Sequence, residues 1–296
     1  MPLPLIHWFY ASGLPKYLRK GSGGKASWAL VTGSSDGIGR ALSFELAARG
    51  FNVLIHGRNQ TKLKGVRDEL AAAHPQREFR TVVVDASNFA AADIDRIVAQ
   101  VGDLPGPLTV LINNVGGTAP LSSNFKHFES TTPDEIRALY SLNVQFPLQL
   151  TRALLPQLVA QGKPTLIVTC GSSAHFGQPY VAAYSGCKGA LHAWNRALYA
   201  EQAQAKSAVE VLEAVVGPTY TQQLQKDPNL KAGLMMPTAD VMAKSILARV
   251  GHGHRTVVPY FWHAVQDGIV YGLLPSNMAD GVIAGMLKPM VEAKTD

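Results

Sequence analysis

The stretch that decides the fold is TGSSDGIG, residues 32–39. It joins an apolar run, residues 28–32, to an amphipathic segment, residues 40–49, that ends at Gly50. Three glycines at this spacing allow a tight turn, a close approach of backbone to a pyrophosphate, and close packing of the following helix. The helix N-terminus adds unpaired N–H groups and a positive dipole. This turn predicts a dinucleotide site, with the candidate residues Gly33, Ser35, Asp36, Gly37, Ile38 and Gly39.

Short apolar runs alternate with longer amphipathic segments along most of the chain. The predicted strands cover residues 28–32, 51–56, 80–84, 108–113, 165–170, 209–216 and 256–259. The predicted helices cover residues 40–49, 60–74, 93–101, 133–161, 182–206 and 238–251. Strands of nearly continuous apolar character between helices are typical of a parallel sheet covered on both faces. We therefore predict a single doubly wound α/β domain, a Rossmann fold, over residues 25–251.

The composition excludes several classes of protein. Of the 296 residues, 47% are apolar and 16% are charged, so the chain can bury enough surface to offset the entropy of ordering. Intrinsic disorder is thereby excluded. The formal net charge of +6 comes without a dense Lys/Arg stripe, which argues against nucleic acid as a partner. The two cysteines, Cys170 and Cys187, exclude a disulfide scaffold, show no metal-ligand spacing and favour a reducing compartment. We expect no bound metal and a cytoplasmic location.

The residues after the second, third and fourth predicted strands indicate which dinucleotide binds. Folds that bind NAD place a carboxylate after the second strand, but this chain reads HGR at residues 56–58. Because Arg58 can pair with a 2′-phosphate, NADP(H) is favoured over NAD(H). Asp85 closes the third strand, where it can accept from the adenine amino group or cap a turn. Asn114 and Gly116 follow the fourth strand and are expected to stabilise the sheet edge and admit the cofactor backbone.

A tyrosine and a lysine four residues apart carry the predicted chemistry. Tyr184 and Lys188 lie one turn apart on one face of the helix predicted over residues 182–206. A free tyrosine has a pKa of about 10, and a nearby ammonium lowers a tyrosine's pKa toward the range useful for acid–base work. Ser172 and Ser173 follow the fifth strand, where a hydroxyl can bind a substrate carbonyl. Asn143 is a mediocre helix former inside a predicted helix, which favours a polar role.

These motifs, in this order, resemble the short-chain dehydrogenase/reductase family over about residues 25–251. TGSSDGIG together with NNVG, residues 113–116, is similar to the branch of very-long-chain 3-oxoacyl-CoA reductases and type 3 and type 12 17β-hydroxysteroid dehydrogenases. Residues 236–251 and the apolar tail also resemble that branch. The resemblance implies that Tyr184 is the catalytic acid and that Lys188 binds the nicotinamide ribose and tunes Tyr184. It further implies that Ser172 polarises the carbonyl and that Asn143 holds a water of a proton relay.

Two departures from the family pattern bear on the site. Ser172 lies twelve positions before Tyr184, where the family usually has thirteen, so Ser173 is the alternative catalytic serine. The family's Pro-Gly-x-x-x-Thr after the sixth strand appears as GPTYTQ at residues 217–222. Pro218 and Thr221 are therefore the candidate contacts for the cofactor in this segment.

The resemblance implies an NADPH-dependent reductase that transfers a hydride to the ketone of an apolar substrate. The candidates are a 3-oxoacyl thioester, a steroid or a related lipid or secondary metabolite. The alternative is a catalytically weakened, NADP-binding regulatory or scaffold protein of the same fold. A homodimer paired through the helices that bear Asn143 and Tyr184 is also implied, and so is an association with the cytosolic face of the endoplasmic reticulum membrane.

The two ends of the chain lie outside the predicted domain. Residues 1–24 form an N-terminal arm, which a flexible GSGG joint at residues 21–24 separates from the domain. The arm is expected either to pack on the domain as an ordinary helix or to lie on a membrane surface, with Leu5, Ile6, Trp8, Phe9 and Tyr10 facing lipid. Residues 252–296 form an apolar extension that is expected to serve the substrate pocket or to contact a membrane or a partner.

Overall fold

The computed structural model describes residues 10–19, 26–222 and 231–292. Within these ranges the strands form one parallel sheet in the order β3-β2-β1-β4-β5-β6-β7. The strands are β1 (Trp28–Val31), β2 (Asn52–Gly57), β3 (Phe79–Val83), β4 (Leu108–Asn113), β5 (Thr165–Ser172), β6 (Val209–Val216) and β7 (Thr256–Val257). The order reverses between β1 and β4, and ligands of such sheets bind at the carboxyl ends of the strands beside that reversal. The prediction of a doubly wound parallel sheet is confirmed.

Helices connect the strands and cover both faces of the sheet. They are α1 (Gly37–Ala48), α2 (Gln60–Ala73), α3 (Ala91–Gly102), α4 (Pro133–Tyr140), α5 (Phe146–Ala160), α6 (Ala182–Gln204), α7 (Ala239–Ala248), α8 (Phe261–Val270) and α9 (Ser276–Glu292). Each face has its own apolar cluster: α1, α2 and α7 pack on one, and α3, α5 and α6 pack on the other. Alternate residues of β1 enter the two clusters, Ala29 on one side and Leu30 on the other. Burial on both faces explains why the strands lack a polar alternation.

The long helix predicted over residues 133–161 is interrupted. A π-helical turn, Ser141–Gln145, separates α4 from α5. Pro147 has no N–H, and its ring would collide with the carbonyl of Asn143 in a regular α-helix. The wider π turn accommodates both effects, and such turns are often found at functional sites. It also holds Asn143 in the interior, where the residue is 1% exposed.

The described part of the N-terminal arm packs against the domain. Leu14 and Tyr17 are each 1% exposed, and both belong to the core cluster around α1 and α7. The hydroxyl of Tyr17 donates to Oε2 of Glu210 on β6 at 2.7 Å. Gly13 N–H donates to the carbonyl of Val250 at 2.9 Å. Residues 10–19 are thereby tied to the edge of the sheet that carries β6 and α7. The apolar residues 5, 6, 8 and 9, and the joint at residues 21–24, lie outside the described residues.

The C-terminal extension forms a pair of helices, α8 and α9, with a small apolar cluster of Val270, Ala279 and Ile283 between them. Several large apolar side chains of the pair face solvent, including Leu273, which is 79% exposed. Among the described helices none has the length and apolar character needed to cross a membrane.

Candidate active site

The glycine-rich turn takes the conformation that its sequence demands. Gly33 and Gly37 have φ values of 69° and 55°, a region that side chains disfavour. Asp36 is the N-cap of α1, and its carboxylate accepts from Gly37 N–H at 2.5 Å. Gly39 packs so close to the turn that a Cβ there would lie 2.7 Å from the carbonyl carbon of Gly33. The turn thus brings backbone N–H groups and the positive end of α1 to an open edge of the sheet.

The end of β4 holds this turn in place. Thr32 Oγ1 accepts from the backbone N–H groups of Asn114 and Val115 at 2.9 and 3.0 Å. Asn114 Nδ2 in turn donates to the carbonyl of Thr32 at 2.9 Å. Asn114 therefore acts through the backbone of the turn, and its predicted role at the sheet edge agrees with these contacts.

The end of β2 supports the turn from the other side, through a residue that sequence reasoning missed. His56 is 1% exposed and its ring stacks on Phe146 at 5.0 Å between centroids. Gly33 N–H donates to His56 Nδ1 at 3.3 Å, and Ser34 N–H donates to the His56 carbonyl at 2.8 Å. Burial lowers the pKa of His56 to about 4, so the ring is neutral at physiological pH and can accept. The sequence offered one signal for this role, the position of His56 two residues before Arg58, a predicted cofactor contact.

The other candidates for cofactor binding surround this turn. Ser35 Oγ lies 3.3 Å from where a Cβ of Gly57 would be, next to the end of β2. Ile38 packs against the core cluster around α1. Arg58 follows β2 and is exposed, with its guanidinium available to an anionic ligand. Thr221 Cγ2 lies 3.2 Å from the position of a Cβ on Gly37, which places the segment after β6 beside the turn. Pro218 is exposed in that same segment.

Asp85 takes the capping role that was one of its two expected roles. Its Oδ1 accepts from the backbone N–H of Ser87 at 2.9 Å and from the Ser87 hydroxyl at 2.7 Å. Asp85 follows β3 and is half-buried, and its other carboxylate oxygen, Oδ2, takes no part in these two hydrogen bonds. Its contact with adenine stays a prediction.

Two of the predicted residues, Asn143 and Lys188, meet at a third, Gly116. A Cβ on Gly116 would lie 2.8 Å from Asn143 Oδ1 and 3.4 Å from Lys188 Nζ, so only a glycine leaves these groups in place. Asn143 Oδ1 accepts from Gly117 N–H at 2.8 Å. Its Nδ2 donates to the carbonyls of Gly117 and Leu139 at 3.0 and 2.9 Å. The Asn143 amide thus joins the π turn to the segment after β4.

Lys188 and Tyr184 lie together on α6, as their spacing predicted. Lys188 is 4% exposed, and its Nζ donates to the carbonyl of Cys170 at 2.9 Å. The same Nζ lies 5.6 Å from the centre of the Tyr184 ring. Tyr184 is half-buried and packs beside Leu139.

The two serines after β5 differ in exposure. Ser172 ends the strand and is half-buried, and its Oγ accepts from Ala174 N–H at 3.2 Å in the 3-10 turn that follows. Ser173 is 9% exposed. The residue thirteen positions before Tyr184 is Gly171, which has no side chain to offer. Ser172 is therefore the more exposed of the two serines, and which of them is catalytic stays a prediction.

A cavity of about 840 Å³ opens beside this site. The turn after β5, one face of α6 and the helix α9 line it, through residues such as His175, Gln178, Gly186 and Ala284. The C-terminal extension therefore contributes to a cavity wall next to the loop that carries Ser172.

Neither cysteine adds a nucleophile to this site. Burial raises the pKa of Cys170 to about 12 and that of Cys187 to about 11, so both thiols stay protonated at neutral pH. Over the described ranges, no three His, Cys, Asp or Glu side chains are grouped so that they would hold a metal ion.

Comparison with known proteins places the chain among enzymes. The family model described as short chain dehydrogenase matches residues 27–231. A very-long-chain 3-oxoacyl-CoA reductase of Meyerozyma guilliermondii is 33% identical over 281 residues, which span 89% of this chain and 79% of that protein.

Solved structures share the same architecture. The short-chain dehydrogenase of Sphingobium yanoikuyae, solved in complex with NADPH, aligns with a TM-score of 0.68 at 21% identity and covers 83% of this chain and 94% of its own. A 7β-hydroxysteroid dehydrogenase aligns with a TM-score of 0.73 at 20% identity, covering 87% and 96%. With its glycine-rich turn, its Tyr-x-x-x-Lys helix and the family match over most of its length, the chain belongs to the short-chain dehydrogenase family of oxidoreductases.

Proposed function

We propose that this oxidoreductase is an NADPH-dependent ketoreductase in which Tyr184 is the proton donor. The observation that carries the proposal is the meeting of Lys188 and Asn143 at Gly116, with Tyr184 beside the lysine. These groups stand at the carboxyl ends of β4 and β5, next to the end of β1 where the glycine-rich turn begins. A dinucleotide on that turn would extend across the same edge of the sheet.

The residues present fit NADP(H). Gly39 lets α1 pack against the end of β4, since a Cβ on Gly39 would meet Asn114 Nδ2 at 2.5 Å. The N-terminus of α1 thus lies at the edge of the sheet where a pyrophosphate would bind. Arg58 stands exposed where a carboxylate would select NAD, and a guanidinium pairs well with a 2′-phosphate. The NADPH complex of the Sphingobium yanoikuyae enzyme supports the same assignment.

Four side chains, those of Tyr184, Lys188, Ser172 and Asn143, carry the proposed reaction together with the cofactor. When bound, NADPH supplies the hydride. Tyr184 donates its proton to the carbonyl oxygen as that oxygen gains charge, and the Lys188 ammonium stabilises the phenolate that remains. Ser172 holds the carbonyl oxygen by a hydrogen bond and so fixes the substrate for transfer. Asn143 joins the segment after β4 to the end of α4 through its bonds to Gly117 and Leu139, and we propose that it also holds a relay water.

An apolar ketone is the proposed substrate, with a 3-oxoacyl thioester ahead of a steroid or a related lipid or secondary metabolite. The names of the fungal relatives support the thioester. Phe176, Pro179 and Ala284 line the cavity beside the turn that carries Ser172, which supports an apolar substrate. Reduction is the proposed direction, since NADPH serves mainly reductions in cells.

Three further proposals concern assembly and location. We infer a homodimer that pairs through α5 and α6, the helices beside Asn143 and Tyr184. The exposed apolar side chains of α8 and α9 support a peripheral contact with a membrane. A cytoplasmic location at the endoplasmic reticulum membrane is in keeping with the names of the relatives.

The proposed function is tested by the oxidation of NADPH in the presence of 3-oxoacyl-CoA, steroid and quinone ketones. Tyr184→Phe is expected to lower kcat by about two to four powers of ten, the usual contribution of a general acid. Tyr199→Phe is the matched control: it lies on the same helix, and its hydroxyl donates to the Gly253 carbonyl at 3.0 Å, away from the site. Equal activity of Tyr184→Phe and wild type would contradict the mechanism.

The alternative function, a weakened NADP-binding scaffold, has its own signature in the same assay. The shortened spacing between Ser172 and Tyr184 is the feature that favours it. Such a protein would bind NADPH tightly in a fluorescence titration and consume none with any ketone of the panel.

A further inference from the structure

One buried carboxylate of the sheet contacts β5 next to the residue that anchors Lys188, and it has no part in the mechanism above. Glu213, on β6, is 0% exposed. Its Oε2 lies 2.6 Å from Nδ1 of His192 and 3.4 Å from Oγ1 of Thr256. Its Oε1 has no hydrogen-bond partner among the described residues. An ionised carboxylate in such a place is costly, and burial raises the pKa of Glu213 to about 7.

Gly171 provides the space for Oε1. A Cβ on Gly171 would lie 3.0 Å from both Cγ and Cδ of Glu213 and would overlap Oε1. Gly171 follows Cys170, whose carbonyl anchors the Lys188 ammonium at 2.9 Å. The unpaired carboxylate oxygen therefore touches β5 one residue beyond the anchor of Lys188, and the two opposite charges attract.

His192 connects the buried carboxylate to the outside. It lies one turn after Lys188 on α6, and its side chain is 21% exposed. Its ring stacks on His175, with 4.2 Å between centroids and 10° between planes. His175 Nδ1 lies 2.7 Å from the Ser172 carbonyl, and His175 lines the cavity beside α9. A proton can therefore reach the Glu213–His192 pair from solvent without passing Lys188.

The groups around the pair are mostly cationic. Those that face Glu213 or His192 from the neighbouring elements are Lys188 and Arg196 on α6, His175 after β5, and Arg255 before β7. Glu213 is thus the acidic member of a set whose other members are basic. Resting on the proposed function, we propose that Glu213, held by His192, is a positioning residue that sets the charge around Lys188. Through Lys188 it controls how readily the Tyr184 hydroxyl gives up its proton.

The sign of the effect follows from the charges. Ionised Glu213 offsets part of the positive potential of Lys188, so the Tyr184 phenolate is stabilised less. Glu213→Gln keeps the shape and removes the negative charge, so the Tyr184 hydroxyl should ionise at lower pH. Below a pH of about 7 wild-type Glu213 takes up a proton and becomes neutral like the glutamine. The two proteins should therefore differ in alkaline solution and converge in acid.

The first experiment measures kcat for ketone reduction against pH. In Glu213→Gln the alkaline limb, where the acid Tyr184 is lost, is expected to move to lower pH by about 0.5–1 unit. Glu210→Gln is the matched control: it lies on the same strand, but its carboxylate binds Tyr17 and Gly251 N–H at 2.7 and 2.9 Å. Its alkaline limb should stay in place. An unmoved limb in Glu213→Gln, or an equal movement in both variants, would overturn the proposal.

A second experiment separates this proposal from the proposed function. The ultraviolet absorbance of tyrosinate is titrated in each protein and in its Tyr184→Phe counterpart, and the difference reports Tyr184 alone. The midpoint is expected to fall in Glu213→Gln even where no ketone of the panel is reduced. An unchanged midpoint refutes the positioning role even where reduction proceeds. If Glu213→Gln does not fold, Glu213→Met replaces it, because methionine removes the same charge, keeps most of the side-chain volume and should lower the midpoint in the same way.

Discussion

Gly39→Ala tests whether the glycine-rich turn is built as described. Gly39 lies in the first turn of α1, and a Cβ there would lie 2.5 Å from Asn114 Nδ2 and 2.7 Å from the carbonyl carbon of Gly33. Ordinary carbon contacts are about 3.5–4.0 Å, so the overlap is about 1 Å and falls partly on backbone, which cannot turn away as a side chain can. The turn and Asn114 would both have to move.

The size of the effect follows from what must move. Forcing a methyl group into a packed site costs about 1–3 kcal/mol. The bond from Asn114 Nδ2 to the Thr32 carbonyl, now 2.9 Å long, would be lost or stretched at about 1 kcal/mol. Alanine recovers up to about 1 kcal/mol of helix propensity. The net loss in the free energy of unfolding should therefore be about 1–3 kcal/mol, with a large loss of NADPH affinity because the displaced turn is the proposed phosphate site.

Gly65→Ala is the matched control for this prediction. Gly65 is an exposed glycine inside α2, and a Cβ there would meet no atom within 4 Å. The same substitution should stabilise the protein by about 0.5–1 kcal/mol. Urea unfolding followed by circular dichroism measures both, and fluorescence titration measures NADPH binding. The reasoning is refuted if Gly39→Ala is as stable as wild type, or if both variants shift in the same direction.

Other predictions concern the cofactor, the arm and the pH dependence of stability. Arg58→Ser should lower the kcat/KM ratio of NADPH to NADH by about 10- to 100-fold, the worth of a charge-assisted contact, whereas Arg67→Ser on α2 should leave it unchanged. Tyr17→Phe should lower the free energy of unfolding by about 1–2 kcal/mol, because the bond to Glu210 is lost in a buried place; an unchanged urea midpoint would show that this hydrogen bond adds no stability. Because the pKa of His56 is lowered to about 4, the unfolded chain binds more protons between pH of about 6.5 and 4. As the pH is lowered through that window, the free energy of unfolding should fall by up to about 3 kcal/mol. This loss should be smaller in His56→Gln.

Much of the architecture could be predicted because its signals are local. The bounds of β4 and β6 agree with the predicted runs at residues 108–113 and 209–216, since a strand buried on both faces is mostly apolar along its length. The spacing of Tyr184 and Lys188 likewise sets their relative position through helix geometry alone.

The supports of the site could not be predicted in the same way. The π turn at Ser141–Gln145 depends on Pro147 and on where the Asn143 amide finds its partners across the site. In the sequence, His56 shows only that no carboxylate occupies the end of the second strand. Its hydrogen bond to the glycine-rich turn forms only when β1 and β2 pair. Asp85 was expected to contact adenine or to cap a turn, and its bonds to Ser87 became visible only with the backbone in place.

The sequence by itself determined the doubly wound sheet, the glycine-rich turn and the relative position of Tyr184 and Lys188, because these follow from periodicity, glycine spacing and helix pitch. Only the tertiary structure decided which groups meet. Gly116 brings Asn143 and Lys188 together across three separate segments. Gly171 admits Glu213 from the next strand to the neighbourhood of Lys188. Such contacts join residues far apart in the chain, and their energies depend on burial and on charges that no local pattern records.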